Sequence, residues 1–574
     1  MLNRARCPFR GRRRSRGSAR QRHARWLFGY RSPAVPAKMT RFIDVSTEGN
    51  LMPLGHRLVV MAALATSAFL CAPARAQAAD AGKPVVGGTL TVAAPGDPRS
   101  LDPVAAPGPL TDRYAEVLYE ALFASDKDFV PRPMLVERYD VSGDKLTYTF
   151  HLRKGVRFHD GSALSAKDVV ASLNRFLAVT AIGKQVAHDV KSLQASGDST
   201  VVLTLSRPRY PLLSELATTA ADIFKADIVA GLPASGFSGE QAIGTGPYKL
   251  KSWKPGQEIV LEKFDGYASR SEENWGGFAG AKHAYLQTIA FPIVRDANAQ
   301  VIGLKSGRWD FVEPNIDQYD VLKSDSKLVV HPLAGANLNV FVLNQSPGTL
   351  FANVKARQAL SLLIDRKAIG AAMGANKDIL ENTPAYVIKA IKHMYSSAGE
   401  KDYTAHDPKK AKALFAEAGL KPGDTIQIMT ISTFPWMQQM ATVLQAELKA
   451  IGIESKISTY DWPTAAKLVQ SPTGWDIQTV FYNAVSTSPA GLRVLSNPYK
   501  NRFETEKGNQ LKAAYDAAQS DAEAAKALDA MQQYFWDEYA NVTVNITHEF
   551  AAYTPRLKGY GHFYRVFWNS WLAK

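Results

Sequence analysis

The fold is decided by residues 140–177, which read DVSGDKLTYTFHLRKGVRFHDGSALSAKDVVASLNRFL. From Leu146 to Leu152, apolar residues alternate with polar or small ones, and this two-residue period is typical of a half-buried strand. Lys154-Gly155 predicts a turn, Val156 to Phe158 a short second strand, and Asp160-Gly161 a second turn. The segment therefore begins as two strands joined by tight turns.

A capped helix is predicted in the second half of the same segment. Ser165 and Asp168, three residues apart, are spaced as an N-cap residue and its capping-box partner. Val169, Leu173 and Phe176 follow at i, i+4 and i+7, so one face of this helix is apolar.

The order of these elements resembles a known signature. LRKGVRFHDG (152–161), followed by LSAKDV and a helix, is similar to the signature of the family 5 solute-binding proteins, the extracytoplasmic receptors of peptide-type and nickel-type ABC importers. Further resemblances follow in family order: GGTL at 87–90, YEAL at 119–122, GTGPY at 244–248, HDPKKAKALFAEAGL at 406–420 and LKAIGIESKI at 448–457. The GTG of the third lacks a third glycine and a Lys-Ser/Thr pair and precedes a strand, so it is not a phosphate-binding loop.

The resemblance implies an α/β fold of the two-lobed periplasmic-binding-protein type, class II, large peptide-binding form, with an extra subdomain in lobe I. Its expected division is residues 1–78 as leader and signal peptide, 79–121 and 216–335 as lobe I, 122–215 as the accessory subdomain, 336–547 as lobe II, and 548–574 as the return to lobe I. Two crossings, near Pro332 to Asn339 and Thr547 to Ala551, would join the lobes. A ligand between the lobes would favour the closed form, because only that form touches it on both sides.

The net charge of +15 is concentrated at the N-terminus. Residues 1–78 hold 15 of the 68 basic residues and two of the 53 acidic ones, which leaves 53 basic against 51 acidic residues in the remainder. A net charge of about +2 gives no basic patch, so nucleic-acid binding is not expected.

A secretory signal peptide is predicted near the end of this basic segment. His56-Arg57 precedes the apolar run Leu58 to Leu70, and Ala76-Gln77-Ala78 is the preferred cleavage site, ahead of Ala74-Arg75-Ala76. The run is too short to span a membrane. The expected location is periplasmic, with translation starting at Met39 or Met52.

Both cysteines, Cys7 and Cys71, lie in this leader. Lipidation at Cys71 is disfavoured because Leu70 is bulkier than that processing site normally accepts. The exported chain would have no thiol, which excludes disulfides, thiolate metal sites and cysteine nucleophiles.

The sequence shows none of the common catalytic motifs that would favour an enzyme over a binding protein. The sequence contains no G-x-S-x-G, H-E-x-x-H or Walker loop, and its histidines are scattered. A secreted hydrolase using the same cleft is the alternative. We expect no catalytic residues, cofactor or metal, and a monomer that works with the permease subunits of an ABC transporter.

The prediction of which ligand is bound depends on one departure from the family pattern. Peptide-binding members have an aromatic residue, two small residues and then an Asp that holds the ligand's α-ammonium; the matching run here is Tyr482, Asn483, Ala484 and Val485. A buried ammonium without a carboxylate is strongly disfavoured, so recognition of a free peptide N-terminus is predicted to be lost or relocated. Tyr482 and Asn483 are either ligand contacts, by stacking and hydrogen bonding, or strand-end packing.

Three further residues complete the predicted site. Trp436 follows a predicted strand and either faces the cleft or belongs to the core, and the loop around Leu110 and Thr111 is the first-lobe candidate. Two kinds of ligand remain open: a peptide-like solute with altered terminus recognition, or a non-peptide such as a sugar, opine or chelated metal.

Overall fold

The structure is a computed structural model that describes residues 82–233, 235–237, 239–495 and 505–574. The predicted signal peptide, both cysteines and the proposed start and cleavage sites lie outside these residues. Nineteen strands are formed in the described part, numbered here in chain order: β1 Thr89–Thr91, β2 Phe123–Ser125, β3 Pro131–Pro133, β4 Val136–Val141, β5 Thr147–Leu152, β6 Val190–Ala195, β7 Thr200–Leu205, β8 Tyr248–Lys254, β9 Glu258–Lys263, β10 Thr288–Pro292, β11 Phe311–Val312, β12 Val329–Leu343, β13 Leu380–Glu381, β14 Thr425–Ile431, β15 Glu454–Tyr460, β16 Ile477–Asn483, β17 Val542–Tyr553, β18 Leu557–Lys558 and β19 Trp571–Leu572.

The helices alternate with these strands through most of the described chain. They are Pro109–Leu118, Ala166–Val179, Ala181–Ala187, Leu212–Glu215, Ala226–Ala230, Ala297–Lys305, Tyr319–Lys323, Val354–Leu363, Arg366–Ala372, Glu400–Thr404, Pro408–Glu417, Pro435–Ala450, Trp462–Leu468, Glu506–Asp516 and Asp521–Asp537.

The segment that decides the fold lies within the accessory subdomain. Strands β4, β5, β7 and β6 make an antiparallel sheet in that order, and helix Ala166–Val179 packs on it. The predicted capping box is confirmed: the Asp168 carboxylate accepts hydrogen bonds from the Ser165 N–H at 2.9 Å and from its hydroxyl at 2.7 Å. Gly155 and Gly161 have φ of 78° and 88°, values that a glycine adopts without strain, so both predicted turns are confirmed.

The prediction of a strand from Val156 to Phe158 is wrong. These residues form only an isolated bridge, between Arg157 and Ala163. The tight Asp160-Gly161 turn leaves too few residues to extend the pairing, because Phe158 N–H already bonds Ser162 O at 2.8 Å across it. A second prediction is also misplaced. The helical spacing of Tyr114, Val117, Leu118 and Leu122 predicts a helix from about Asp112 to Phe123, but the helix spans Pro109–Leu118 and ends where Tyr119 becomes extended.

Lobe I contains a four-stranded sheet in the order β1-β10-β9-β8. From Gln287 to Val312 the sequence predicts a strand, a helix and a strand, an order that indicates parallel pairing. Strand β10 is parallel to β1, whereas β10, β9 and β8 form an antiparallel meander. Val92 bridges Phe311 in parallel, so the short strand β11 continues this sheet beside β1. The carboxyl ends of β1, β10 and β11 therefore lie at the same edge.

Lobe II is built on a larger sheet in the order β11-β17-β12-β16-β14-β15, with β13 added to β17. The sequence predicts a βαβ unit here, with a strand at Ile426 and Ile428, a helix from about Met437 to Ala450 and a strand from Ile453 to Ile457. The structure agrees: β14 and β15 are parallel and connected by helix Pro435–Ala450. Strand β16 is parallel to β14 on its other side. The carboxyl ends of β14, β15 and β16 consequently share one edge.

Strands β12 and β17 are antiparallel neighbours that run through both predicted crossings. Their register shifts between Pro332 and Ala336, where Leu333 to Gly335 form a bulge. Leu333 packs into the core below the four-stranded sheet, whereas Ala336 packs into the core of lobe II. The chain thus changes cores within this bulge. The predicted domain boundaries stay predictions.

Candidate functional site

Four aromatic rings meet at the edge of lobe II where its parallel strands end. Phe434 and Trp436 follow β14, Trp462 follows β15, and Phe481 lies near the end of β16. The ring centroid of Phe434 lies 4.7 Å from that of Trp436, 5.1 Å from Phe481 and 6.0 Å from Trp462. In open α/β sheets ligands bind outside the carboxyl ends of the strands. These four residues, named here the aromatic wall, form one candidate face of a binding site.

Trp436 is the one member of the aromatic wall that the sequence predicted. Its side chain is 7 % exposed, and its indole N–H is buried without a hydrogen-bond partner among the described residues. A buried Trp N–H usually finds a partner, and a ligand acceptor or a water would supply one. Trp462 is 41 % exposed and is the most accessible of the four rings. It could have been found as the aromatic residue that directly follows Asp461 at the end of a strand.

The predicted run Tyr482 to Val485 continues β16 beyond this edge. Phe481 and Tyr482 are consecutive strand residues and point to opposite faces, so Tyr482 lies on the other face of the sheet from the aromatic wall. Asn483 is exposed, and its side-chain oxygen accepts the Val485 N–H at 2.8 Å. Val485 is half-buried and packs against the lobe II core. The structure therefore brings Trp436 together with Phe481 rather than with Tyr482.

Ala484 ties this run to the crossing. It is fully buried, its N–H donates to Ala336 O at 2.9 Å, and its carbonyl accepts the Ile388 N–H at 3.1 Å. Because both backbone groups are engaged, Ala484 fixes the end of β16 beside the bulge in β12.

The first-lobe candidates occupy different environments. Thr111 is buried, and its hydroxyl donates to Ser100 O at 3.0 Å, so its side chain anchors the loop. Leu110 is 37 % exposed at the start of helix Pro109–Leu118 and is the one of the pair whose side chain a ligand could contact.

A cluster of charged residues lies at the carboxyl edge of lobe I. Arg113 comes from the first turns of helix Pro109–Leu118, and Glu313 directly follows β11; their side chains are paired at 2.5 Å. Arg565 donates from Nε to Glu313 and from Nη2 to Glu549 on β17. Two guanidinium groups and three carboxylates thus meet, with Glu116 one turn beyond Arg113. We call these five residues the charged wall; none of them was predicted.

The bulge between the lobes connects the two walls. Gly335 lies so close to the charged wall that a Cβ there would sit 2.5 Å from Glu549 Oε2 and 3.5 Å from the Tyr564 ring. The next residue, Ala336, accepts the hydrogen bond from Ala484 at the end of β16. Both walls therefore border the same crossing.

Burial and the neighbouring charges set the protonation of the charged wall. Burial raises the pKa of Glu116 to about 8, an effect that Arg565 opposes and Asp112 reinforces. Burial also raises the pKa of Asp112 to about 6, partly offset by its hydrogen bond from Thr219. For Glu313 burial acts in the same direction, but Arg113 and Arg565 outweigh it and hold its pKa below the usual value. At neutral pH, Glu313 is ionised and Glu116 is protonated.

The raised pKa of Glu116 predicts how the free energy of unfolding depends on pH. Glu116 binds its proton more tightly in the folded chain than in the unfolded chain. The stability that this proton adds is complete below the unfolded pKa near 4.5 and is lost as the pH rises to about 8. Glu116→Gln should remove this loss. Relative to wild type, the variant should gain on the order of 2–5 kcal/mol between pH 4.5 and 8.5, measured by urea unfolding. Glu417→Gln, on an exposed helix end, should show no such gain; parallel wild-type and Glu116→Gln profiles would contradict the assignment.

The described residues contain no group of three or more His, Cys, Asp or Glu side chains placed to hold a metal ion. Within the same residues no helix combines the length and apolar character needed to cross a membrane.

Two α/β lobes joined by adjacent strands, each with the carboxyl edge of its sheet beside the crossing, form the two-lobed architecture of a solute-binding protein. Residues 130–506 match the bacterial extracellular solute-binding proteins, family 5 Middle. This chain belongs to that family, as its signature segments predicted.

Individual relatives agree with this membership. A probable peptide ABC transporter periplasmic-binding protein of Sinorhizobium fredii is 31 % identical over 428 residues, which cover 72 % of this chain and 77 % of the relative. The oligopeptide-binding protein AppA from Bacillus subtilis, solved with a nonapeptide, shares the fold with a TM-score of 0.73 at 23 % identity, over 86 % of this chain and 100 % of AppA. AgaA from A. tumefaciens R10, solved with agropinic acid, has a TM-score of 0.70 at 24 % identity, over 85 % of this chain and 99 % of AgaA.

Proposed function

We propose that this protein is the extracytoplasmic receptor of an ABC importer and captures a peptide-like solute between its lobes. The relative from Sinorhizobium fredii carries the name of such a receptor, and AppA holds a peptide in the same fold. Closure would bury the solute between the aromatic wall and the charged wall, and the membrane permease would read the closed state. The receptor acts as a monomer, after export and cleavage near Ala78, and does no covalent chemistry.

The observation that carries the ligand proposal is the environment of Val485. This residue occupies the position at which the family pattern places a carboxylate, and it packs against the lobe II core. The end of β16 therefore offers no counter-ion to a free α-ammonium, and a buried unpaired ammonium is costly. The solute is bound without an ammonium contact at this position.

The two walls supply other interactions. The rings of Phe434, Trp462 and Phe481 suit an apolar or planar part of a solute. On lobe I, Arg113 Nε and Nη1 and Glu116 Oε2 are buried without a hydrogen-bond partner among the described residues. Guanidinium donors and a protonated carboxyl, which both donates and accepts, match the carbonyl and N–H of an amide group.

A non-peptide solute is the second candidate, and the same Val485 environment favours it. Agropinic acid in AgaA is an example within the same fold. Native mass spectrometry of protein purified without refolding distinguishes the candidates, because a retained solute reports its own mass. A peptide mass supports the proposal, whereas a retained non-peptide replaces it with the second candidate.

A thermal-shift experiment tests the role of Val485. At about 1 mM, free dipeptides should raise the wild-type melting temperature by less than about 1 °C, because the missing counter-ion weakens binding by two orders of magnitude or more. Val485→Asp restores a carboxylate at this position and should give a larger shift. N-acetylated dipeptides should not discriminate between the two proteins. A large wild-type shift that is abolished by blocking the amine would refute the interpretation.

A further inference from the structure

The accessory subdomain touches lobe II on segments separate from the two crossings. The Tyr210 N–H donates to Asp516 O at 2.7 Å, and its hydroxyl donates to the Asp521 carboxylate at 2.9 Å. Its ring meets Tyr515 edge to face, with centroids 5.5 Å apart and planes at 87°. Tyr210 also packs against the lobe II core, although its own neighbours in sequence belong to the accessory subdomain. One tyrosine therefore makes three kinds of contact across this interface.

Arg209, the preceding residue, adds an ionic contact. Its buried guanidinium is held within the accessory subdomain by two hydrogen bonds of 2.6 Å to Glu215 and one of 2.9 Å to Asp189. A further N–H lies 3.1 Å from the Asp516 carboxylate of lobe II. Because Glu215 and Asp189 orient Arg209 without help from lobe II, its donor is already in position when Asp516 approaches. Lys145 adds a hydrogen bond across the same interface, its ammonium group donating to the backbone Gln519 O at 2.6 Å.

These contacts join segments that the crossings divide. The strands β12 and β17 connect lobe I to lobe II, and a rotation about them that opens the crevice must change the distance between Tyr210 and the helices Glu506–Asp516 and Asp521–Asp537. The contacts at Lys145, Arg209 and Tyr210 can therefore form in the closed arrangement and are broken in an open one.

From this we infer that a latch between the accessory subdomain and lobe II stabilises the closed receptor independently of its solute. On the accessory subdomain it consists of Lys145, Arg209 and Tyr210, and on lobe II of Tyr515, Asp516, Gln519 and Asp521. The inference rests on the proposed receptor function and adds a regulatory element to it. A latch lets the closed form persist without ligand, and any solute then binds to an equilibrium already shifted towards closure.

Distance measurements between spin labels test the latch directly. Lys191→Cys on the accessory subdomain and Lys526→Cys on lobe II are exposed labelling sites, introduced into the full chain with Cys7→Ser and Cys71→Ser. Without ligand, the wild-type background should show a substantial closed population. Tyr210→Ala should lower the ratio of closed to open molecules roughly 10-fold, because the aromatic pair and the hydrogen bond to a carboxylate each contribute several-fold. Tyr210→Phe keeps the ring and should have a smaller effect in the same direction.

Tyr139→Ala is the matched control, since Tyr139 is a partly exposed tyrosine of the same subdomain that packs on Phe123. It should leave the distance distribution unchanged. Identical distributions in wild type, Tyr210→Ala and Tyr210→Phe would overturn the latch, as would a ligand-free wild type that is entirely open. Solute retention in native mass spectrometry is read separately: a chain that retains no solute but responds to Tyr210→Ala contradicts the ligand proposal and leaves the latch in place.

Discussion

Replacing Arg565 by alanine is expected to destabilise the folded protein by about 3–5 kcal/mol. The Arg565 guanidinium bonds both Glu313 and Glu549, and its side chain is 10 % exposed. Its removal leaves two carboxylates beside one remaining partner, Arg113, in a site that excludes most water. An uncompensated buried charge is costly because neither solvent nor a counter-ion stabilises it. Urea unfolding at pH 7 measures the loss as a lower midpoint.

Arg138→Ala is the control for this experiment. Arg138 pairs with Asp140 at 2.8 Å, but both side chains are 64 % exposed, and an ion pair in water contributes at most about 1 kcal/mol. The double variant Arg565→Ala, Glu549→Gln should recover part of the stability, because it removes one of the unpaired charges. If Arg565→Ala costs no more than Arg138→Ala, the charged wall is not the buried network described here.

Local patterns predicted most of the local structure. The capping box at Ser165 and Asp168 and the βαβ unit of β14 and β15 each depend on residues close together in sequence. The hairpin of β8 and β9 is predicted in the same way, by apolar alternation on both sides of the Pro255-Gly256 turn. The failures have local causes too. Val156 to Phe158 carries the composition of a strand, but the following tight turn offers it almost nothing to pair with.

The charged wall could not be predicted because its members come from four distant segments. These segments meet only after β11 and β17 pair and the chain returns to lobe I. They carry Arg113 with Glu116, Glu313, Glu549 and Arg565, respectively. Each of these residues, taken alone in the sequence, reads as an ordinary surface charge. The aromatic wall could be predicted in part, since Trp436 was predicted from its place after a strand. Its contact with Phe481, however, depends on the parallel pairing of β14 and β16.

Replacing Trp462 by alanine should weaken solute binding by about 10- to 100-fold, because a large ring packed against a ligand contributes about 1–3 kcal/mol. Trp462 belongs to the aromatic wall at the carboxyl edge of lobe II and is 41 % exposed. A ring that remains accessible adds little to the core, so the same substitution should cost the fold only about 1 kcal/mol or less. The fraction of protein that retains co-purified solute in native mass spectrometry measures the effect on binding.

Two further variants separate a ligand contact from a structural one. Trp462→Phe keeps an aromatic face and should retain most of the solute, whereas Tyr139→Ala removes a partly exposed ring from the accessory subdomain and should retain all of it. Retention equal to wild type in Trp462→Ala would exclude the aromatic wall from the binding site. A large loss of stability together with the loss of solute would instead make Trp462 a core residue. Selective loss of solute in a stable protein is the result that only a binding surface at the edge of β14, β15 and β16 explains.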